Sequence, residues 1–571
     1  MMARIIMVTG KIMMRGATIK KQSIIGAIFI SVLLGGLPAA TWAFSGPFAS
    51  LVTVEPGVQI DVDVRWPDVG SPPAAGWPVI FIAHPGGGDK NTFADVAANF
   101  ADDGYVTLNY TNRPSEEWNP TNYANDIVAL KAWLLNDFQS ESGISAPTDT
   151  NAYGMTGRSL GGFTTWSGVL LTNAFSTAVP FNFAYHMFTD HIVSQGSIEH
   201  TTGVQAIAEV GGDYPATAVD ALFEAQINPV LANFPNITIP VQNHIGMLDG
   251  RWTGTHALKD HLALNASPQR MIYIGTGGHG TPDNDAVFRD QLRLDWFEYY
   301  LKGVANGIDS TDAIQVSLLG TNEKVSYPSW PPTGQLNTTL YLGSGGHLNP
   351  TAPTASSASD SFTNDPGPLT WANLPNYNAS TFRAGVIRDV ITYETPALAE
   401  DALIVGEPSV DLYVEGTASR YQVNVHLFDV SPEGEPILLA VGTATPDVSP
   451  TQLTIPLSVT GRRVPVGHSI RLEVTNRDDQ DIDPTNGHTP EQELLRFIPF
   501  LEYSDNEVFF DIARPSSITI PLIDANALSF SVHEVPAIGG IGSLTLGLLM
   551  LGLGAVKSGQ ERSRAVSEIQ A

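Results

Sequence analysis

The six residues Gly157-Arg158-Ser159-Leu160-Gly161-Gly162 stand between an apolar run, Ala152-Tyr153-Gly154-Met155, and a helix-like stretch from Phe163 to Leu171. That junction demands a strand that turns sharply into a helix. Glycine is needed on both sides of the serine, because the turn is strained and a Cβ there would clash. The turn holds the Ser159 hydroxyl exposed at the sheet edge, above a helix N-terminus, and the hydroxyl becomes a nucleophile only where a base takes its proton. In a chain with 53 glycines a G-x-S-x-G string also arises by chance. Its meaning therefore depends on whether an acid, a histidine and a loop of backbone donors follow strands of their own.

The surrounding pattern supplies those strands. Gln59 to Val64 alternates, Pro78 to Ala83 is a short buried-type apolar run, Phe93 to Asp102 reads as a helix and Tyr105 to Asn109 as the next strand. Asn122 to Phe138 has the spacing of an amphipathic helix. Residues 180–235 break the rhythm and read as a short helical cap inserted over the active edge. The sheet resumes at Ile239-Pro240-Val241 and at Arg270 to Ile274, and Phe288 to Lys302 closes the unit as a helix. This alternation predicts a mostly parallel sheet with helices on both faces, over residues 44–312. From Ile314 short strands lie between Pro, Gly, Asn and Asp turns with no long helix, which predicts an all-β jelly-roll sandwich over 313–534.

In an open parallel sheet, ligands bind beyond the carboxyl ends of the strands. Three segments there carry chemistry. His84-Pro85-Gly86-Gly87-Gly88-Asp89 is a glycine loop whose N–H groups at Gly86 and Gly87, with that of Leu160, can face a developing oxyanion; His84 reads as its scaffold. Asp249, after Val241 to Gly246, is the candidate acid that fixes the histidine tautomer, with Asp260 as the weaker rival. His279, framed by glycines after Tyr273-Ile274, is the candidate base, since an unperturbed imidazole titrates near neutrality, at about 6.5. The chain order Ser159, Asp249, His279 is the one an α/β-hydrolase requires. His244, His256 and His261 read as supporting or surface residues.

These segments resemble the cocaine-esterase and X-prolyl dipeptidyl-peptidase family of α/β-hydrolases. The likeness rests on Gly157 to Trp166, Asp249, Ile274 to His279 and Arg293 to Gly303 in the first half. In the second it rests on Glu407 to Leu412, Val425 to Gly434 and Val466 to Leu472. It implies an α/β-hydrolase fold with a C-terminal jelly roll, and a serine hydrolase acting on a small-molecule ester or a short peptide, with no cofactor or metal. Members of the family usually carry a tyrosine after the proline of the oxyanion loop, where this chain has Gly86. An ester is favoured over an X-Pro peptide because nothing in the short cap announces a pocket for a free amine. A non-catalytic carbohydrate-binding surface protein is the reading from a different class.

Composition narrows the setting. A net charge of −29 repels phosphates and argues against nucleic acid as a partner. The absence of cysteine excludes disulfides and thiolate chemistry. Lys20-Lys21 precede the uncharged run from Ser23 to Phe44, the layout of a secretory signal over 1–43. Near the other end, in 535–571, the uncharged Ala537 to Val556 precedes Lys557, Arg562 and Arg564, which fits a membrane anchor or a sorting segment. Together these predict export to the periplasm, the cell surface or the medium. The acidic run Asp478 to Gly487 lacks the bidentate glutamate of an EF-hand loop and reads as solvated.

Overall fold

The computed structural model describes residues 44–530 except 69, 114–118, 188–226, 250–252, 280–284, 322, 371–383, 419–420, 447–450, 479–500 and 524–527. The two expected terminal segments, residues 479–487 of the acidic run and most of the expected cap lie outside the described residues.

The apolar runs become the strands of a ten-stranded sheet. In chain order these are β1 (Phe44–Glu55), β2 (Val58–Pro67), β3 (Trp77–Ala83), β4 (Val106–Tyr110), β5 (Thr148–Arg158) and β6 (Thr177–Phe181). They continue with β7 (Val241–Gly246), β8 (Arg270–Gly275), β9 (Ile314–Ser317) and β10 (Lys324–Tyr327). The spatial order is β1-β2-β4-β3-β5-β6-β7-β8-β9-β10. All pairs from β4 to β9 are parallel, while β1, β2 and β10 add antiparallel edges.

The helices are α1 (Ala94–Asp102), α2 (Pro120–Asn136), α3 (Phe138–Ser142), α4 (Leu160–Leu171), α5 (Asn228–Leu231), α6 (Gly254–Ala263) and α7 (Ala286–Lys302). β3 is buried throughout, and its alternation divides them. Val79, Phe81 and Ala83 face Ile127 and Leu130 of α2, whereas Ile80 and Ile82 face Ala97 and Phe100 of α1 and Trp296 and Phe297 of α7. Asn119 caps α2, its Oδ1 accepting from the N–H groups of Thr121 and Asn122.

The second half is β-rich, as the jelly-roll expectation required. Strands between Gln335 and Ile523 join in a thirteen-stranded sheet whose pairs are antiparallel except His347 with Glu394. The strand Val423–Val430 is wholly buried between Pro436–Ala444 and Ser469–Thr475.

Two boundaries differ from the sequence reading. The change of pattern expected at Ile314 comes later, because β9 and β10 extend the first sheet; they are four-residue strands without a helix between them, which looks like β-domain sequence. The two described ends of the expected cap at 180–235 belong to the sheet unit itself. Pro180 and Phe181 end β6, Phe183 and Tyr185 are fully buried, and α5 and Phe234 pack into the core beside α4.

Candidate active site

Ser159 sits between β5 and α4 with φ 57° and ψ −117°, a left-handed conformation that costs a non-glycine residue about 1–3 kcal/mol. The glycines around it permit that geometry through close backbone approach. A Cβ on Gly157 would stand 2.4 Å from the Gly161 carbonyl oxygen, one on Gly161 2.1 Å from that of Ala83, and one on Gly162 2.6 Å from that of Phe181. The Ser159 N–H is tied to the Phe181 carbonyl at 3.0 Å, which locks the turn onto β6.

The structure brings the three residues singled out in the sequence into one hydrogen-bonded line. His279 Nε2 lies 3.0 Å from Ser159 Oγ, and His279 Nδ1 lies 2.9 Å from Asp249 Oδ2. A carboxylate can only accept from Nδ1–H, which leaves the Nε2 lone pair directed at the serine. The Asp249 side chain is fully buried, while that of His279 keeps 19% of its surface exposed. The rival Asp260 does something else. Its carboxylate accepts from the N–H groups of Tyr185 and His186 at 2.8 and 3.0 Å and pairs with His186 Nδ1 at 2.6 Å, pinning the chain after β6 to α6.

The loops that carry the acid and the histidine are zipped together. Met247 N–H donates to the Gly275 carbonyl at 2.7 Å and Leu248 N–H to that of Gly277 at 3.2 Å. Gly246 permits this, since a Cβ there would meet the Gly277 oxygen at 2.2 Å. Asn182, a residue the sequence reading passed over, fastens the zip. It has φ 48°, accepts from Gly246 N–H at 3.2 Å through Oδ1, and offers Nδ2 to the carbonyls of Gly278 and His279 at 3.4 Å. Its position one residue past β6 is the available signal, hidden because the end of β6, Pro180 and Phe181, falls in the stretch that reads as insertion. Arg158 also reaches this loop, its Nη2 donating to the His279 carbonyl oxygen.

On the other side of Ser159 lies the glycine loop. His84 Nδ1 lies 2.7 Å from the Pro85 carbonyl, and its Nε2 accepts the Asn112 N–H at 2.8 Å, so the ring is neutral and braces the loop. Gly88 N–H closes a turn on the Pro85 carbonyl at 3.1 Å. Leu160 is the first residue of α4, where a backbone N–H has no partner within the helix. His244, His256 and His261 are buried rather than at the surface. Of the acidic run, Asp478 faces His426, with 2.8 Å from Oδ1 to Nε2.

The β domain bears on the acid's loop. Leu248 packs against Phe428, Val430, Leu438 and Val441, and Met247 Sδ accepts from Gly461 N–H at 3.2 Å. Among the described residues no helix is long and apolar enough to cross a membrane, and no group of His, Asp and Glu side chains could hold a metal ion.

Comparison with known proteins finds likenesses in sequence and in fold. Residues 306–519 match the X-Pro dipeptidyl-peptidase C-terminal non-catalytic domain. Cocaine esterase of Rhodococcus sp. (strain MB1 Bresler) is 23% identical over 260 residues, 40% of this chain and 45% of that one, so the match spans less than half of the relative. By these matches the chain is similar to the cocaine-esterase/X-Pro dipeptidyl-peptidase family.

Solved structures share the fold of both halves. An aminopeptidase from a marine sediment Thaumarchaeota archaeon superposes with a TM-score of 0.62 at 16% identity, over 85% of this chain and 97% of that one. An α-amino acid ester hydrolase gives 0.61 at 16%, over 86% and 99%. A CocE/NonD family hydrolase from Staphylococcus aureus gives 0.61 at 13%, over 84% and 94%. At position 86 the loop after β3 presents glycine backbone, as its sequence His84 to Asp89 requires.

Proposed function

We propose that the chain is a serine hydrolase that cleaves carboxylic esters through an acyl-enzyme. The observation that carries the reading is the unbroken line Asp249–His279–Ser159 at hydrogen-bond distance, with the serine in a strained turn. Ser159 Oγ attacks the ester carbonyl carbon while His279 Nε2 takes its proton; the imidazolium so formed is stabilised by Asp249. The N–H groups of Leu160, Gly86 and Gly87 are assigned to the oxyanion. As the intermediate collapses, the bond to the alcohol oxygen breaks and His279 returns the proton to it. Water, deprotonated by the same histidine, then releases the acid and restores Ser159.

Esters are preferred to X-Pro peptides because Gly86 removes a side-chain donor from the oxyanion loop, and an amide, with the poorer leaving group, needs more help there. The competing peptidase reading draws on the family domain at 306–519. A fluorophosphonate probe tests the first point: it should label wild type and not Ser159→Ala, and a folded wild type that resists labelling would overturn the enzyme reading in favour of a binding protein. Nitrophenyl acyl esters against an Ala-Pro anilide test the second; turnover of the anilide alone would replace the esterase with a dipeptidyl-peptidase. Export through residues 1–43 belongs to the same proposal, and cell fractionation checks it, with activity in the cytosol as the contrary result.

A further inference from the structure

A second pocket lies behind the nucleophile's strand, on the face opposite α4. It is a cavity of about 290 Å³ between α1 and α7, reached by the ends of β3, β5 and β6. Its walls are apolar, formed by Ile82, Phe93, Val96 and Phe181, and neither Ser159, Asp249 nor His279 lines it. Its charged lining is out of character for so acidic a chain: Arg158, Arg289 and Arg293 face one carboxylate, that of Asp290.

The three guanidiniums are under-supplied with acceptors. Each offers five N–H donors. Among the described residues they meet two acceptor atoms: Arg158 reaches the His279 carbonyl oxygen, and Arg289 and Arg293 share Asp290 Oδ1 at 3.2 Å. Arg293 Nε is buried without any acceptor. Asp290 is half exposed, whereas the Arg289 and Arg293 side chains keep only 13% and 16% of their surface. The guanidiniums of Arg158 and Arg289 stand over the Phe181 ring, at 5.8 and 4.8 Å from its centre. Burial lowers the pKa of Arg158 and of Arg293, and the neighbouring Arg289 charge lowers both further. An anion in the cavity relieves each of these costs together.

We infer that this cavity is a binding site for a small monocarboxylate with an apolar body. The planar fork of arginine matches a carboxylate with two parallel bonds, and the walls accept an aliphatic or aromatic group, which a bare inorganic anion lacks. The site touches the reaction centre through Arg158. One guanidinium holds the His279 carbonyl and lines the cavity, so a ligand that draws on Arg158 loosens the histidine's loop. This link rests on the function proposed above, because a hydrolase that releases carboxylic acids would thereby be restrained by one.

Phenylacetate titrated into the full-length protein by calorimetry is the test. Wild type and Ser159→Ala should bind it equally, which separates the cavity from the catalytic serine. Arg289→Gln should weaken binding at least tenfold, the weight of one charge-assisted hydrogen bond. Asp290→Asn, a change at a half-exposed site that spares the fold, should tighten binding by removing the competing carboxylate. Neutral phenylacetamide should not displace it. No binding to folded wild type, binding indifferent to both substitutions, or equal binding of inorganic phosphate would overturn the site. In nitrophenyl ester turnover phenylacetate should lower kcat at constant KM; a purely competitive pattern would place it at Ser159 instead. A protein that binds phenylacetate through Arg289 yet hydrolyses nothing would keep the site and sink the reaction.

Discussion

At the residue scale, the candidate site depends on one tautomer and one loop position. Asp249 accepts from His279 Nδ1–H, and an amide in its place presents a donor to the wrong nitrogen. Asp249→Asn should lower kcat about 10⁴-fold with KM changed little, measured as steady-state ester hydrolysis; a loss under tenfold would mean that another carboxylate supports the base. Asn182 acts one step away, as a positioning residue, through the Gly246, Gly278 and His279 backbone. Asn182→Ala should cost about tenfold to a hundredfold in kcat, since small displacements of a base are expensive, while KM stays near its original value. An equal rise in KM would mark it as merely structural. The contrast between these residues shows what a sequence makes legible. Ser159, Asp249 and His279 could be picked out because each follows its own strand and two of them sit among glycines. Asn182 and Arg158 could not, because their partners are backbone atoms 64 to 121 residues away.

At the element scale, the glycines sort by what surrounds them rather than by their number. Gly161→Ala would drive a methyl to 2.1 Å from a β3 carbonyl, between two elements with no room to part. It should cost 3 kcal/mol or more, on the order of the largest overpacking penalties, or prevent folding. Gly87, at φ 71° with open space around the added Cβ, should lose only about 1–2 kcal/mol as alanine. Urea titrations of the two variants check the order, and equal losses would contradict it. The same close packing explains which elements could be foreseen. β3, β8 and the middle of β5 are apolar runs followed by glycine-bearing turns and read clearly, whereas β7, Val-Gln-Asn-His-Ile-Gly, is foreseen only at its first residue. β6 is five residues with a proline in fourth place, and β9 and β10 are four residues each with no helix between them, so their allegiance is settled by tertiary pairing.

At the scale of the whole molecule, the two sheets meet around the acid's loop. The β-domain strand Thr460–Val464 receives Leu319 N–H at the Gly461 carbonyl, at 2.8 Å, and the adjoining Val459 N–H bonds Thr255 Oγ1, also at 2.8 Å. Arg462, paired with Asp429 at 2.7 Å, reaches back to the Leu319 carbonyl. The interior of the first sheet also stores a dependence on pH. His244 and His261 are buried, and burial pushes His261 down to about 3 and His244 well below the ordinary imidazole value. Above pH 6.5 neither the folded nor the unfolded chain protonates them. As pH falls below 6.5 the unfolded chain takes up protons that the folded chain refuses. The stability these neutral rings contribute is therefore present above 6.5 and lost downward, by about 1.4 kcal/mol per pH unit for each histidine. The unfolding free energy from urea titrations at pH 6.0, 5.25 and 4.5 should fall by nearly twice that slope, and His261→Gln should roughly halve it. Ordinary carboxylates, at about 3.9 to 4.3, take up protons mainly toward the lower end of this interval, so a stability flat from pH 6.0 to 5.25 would show that both rings bind protons in the folded protein.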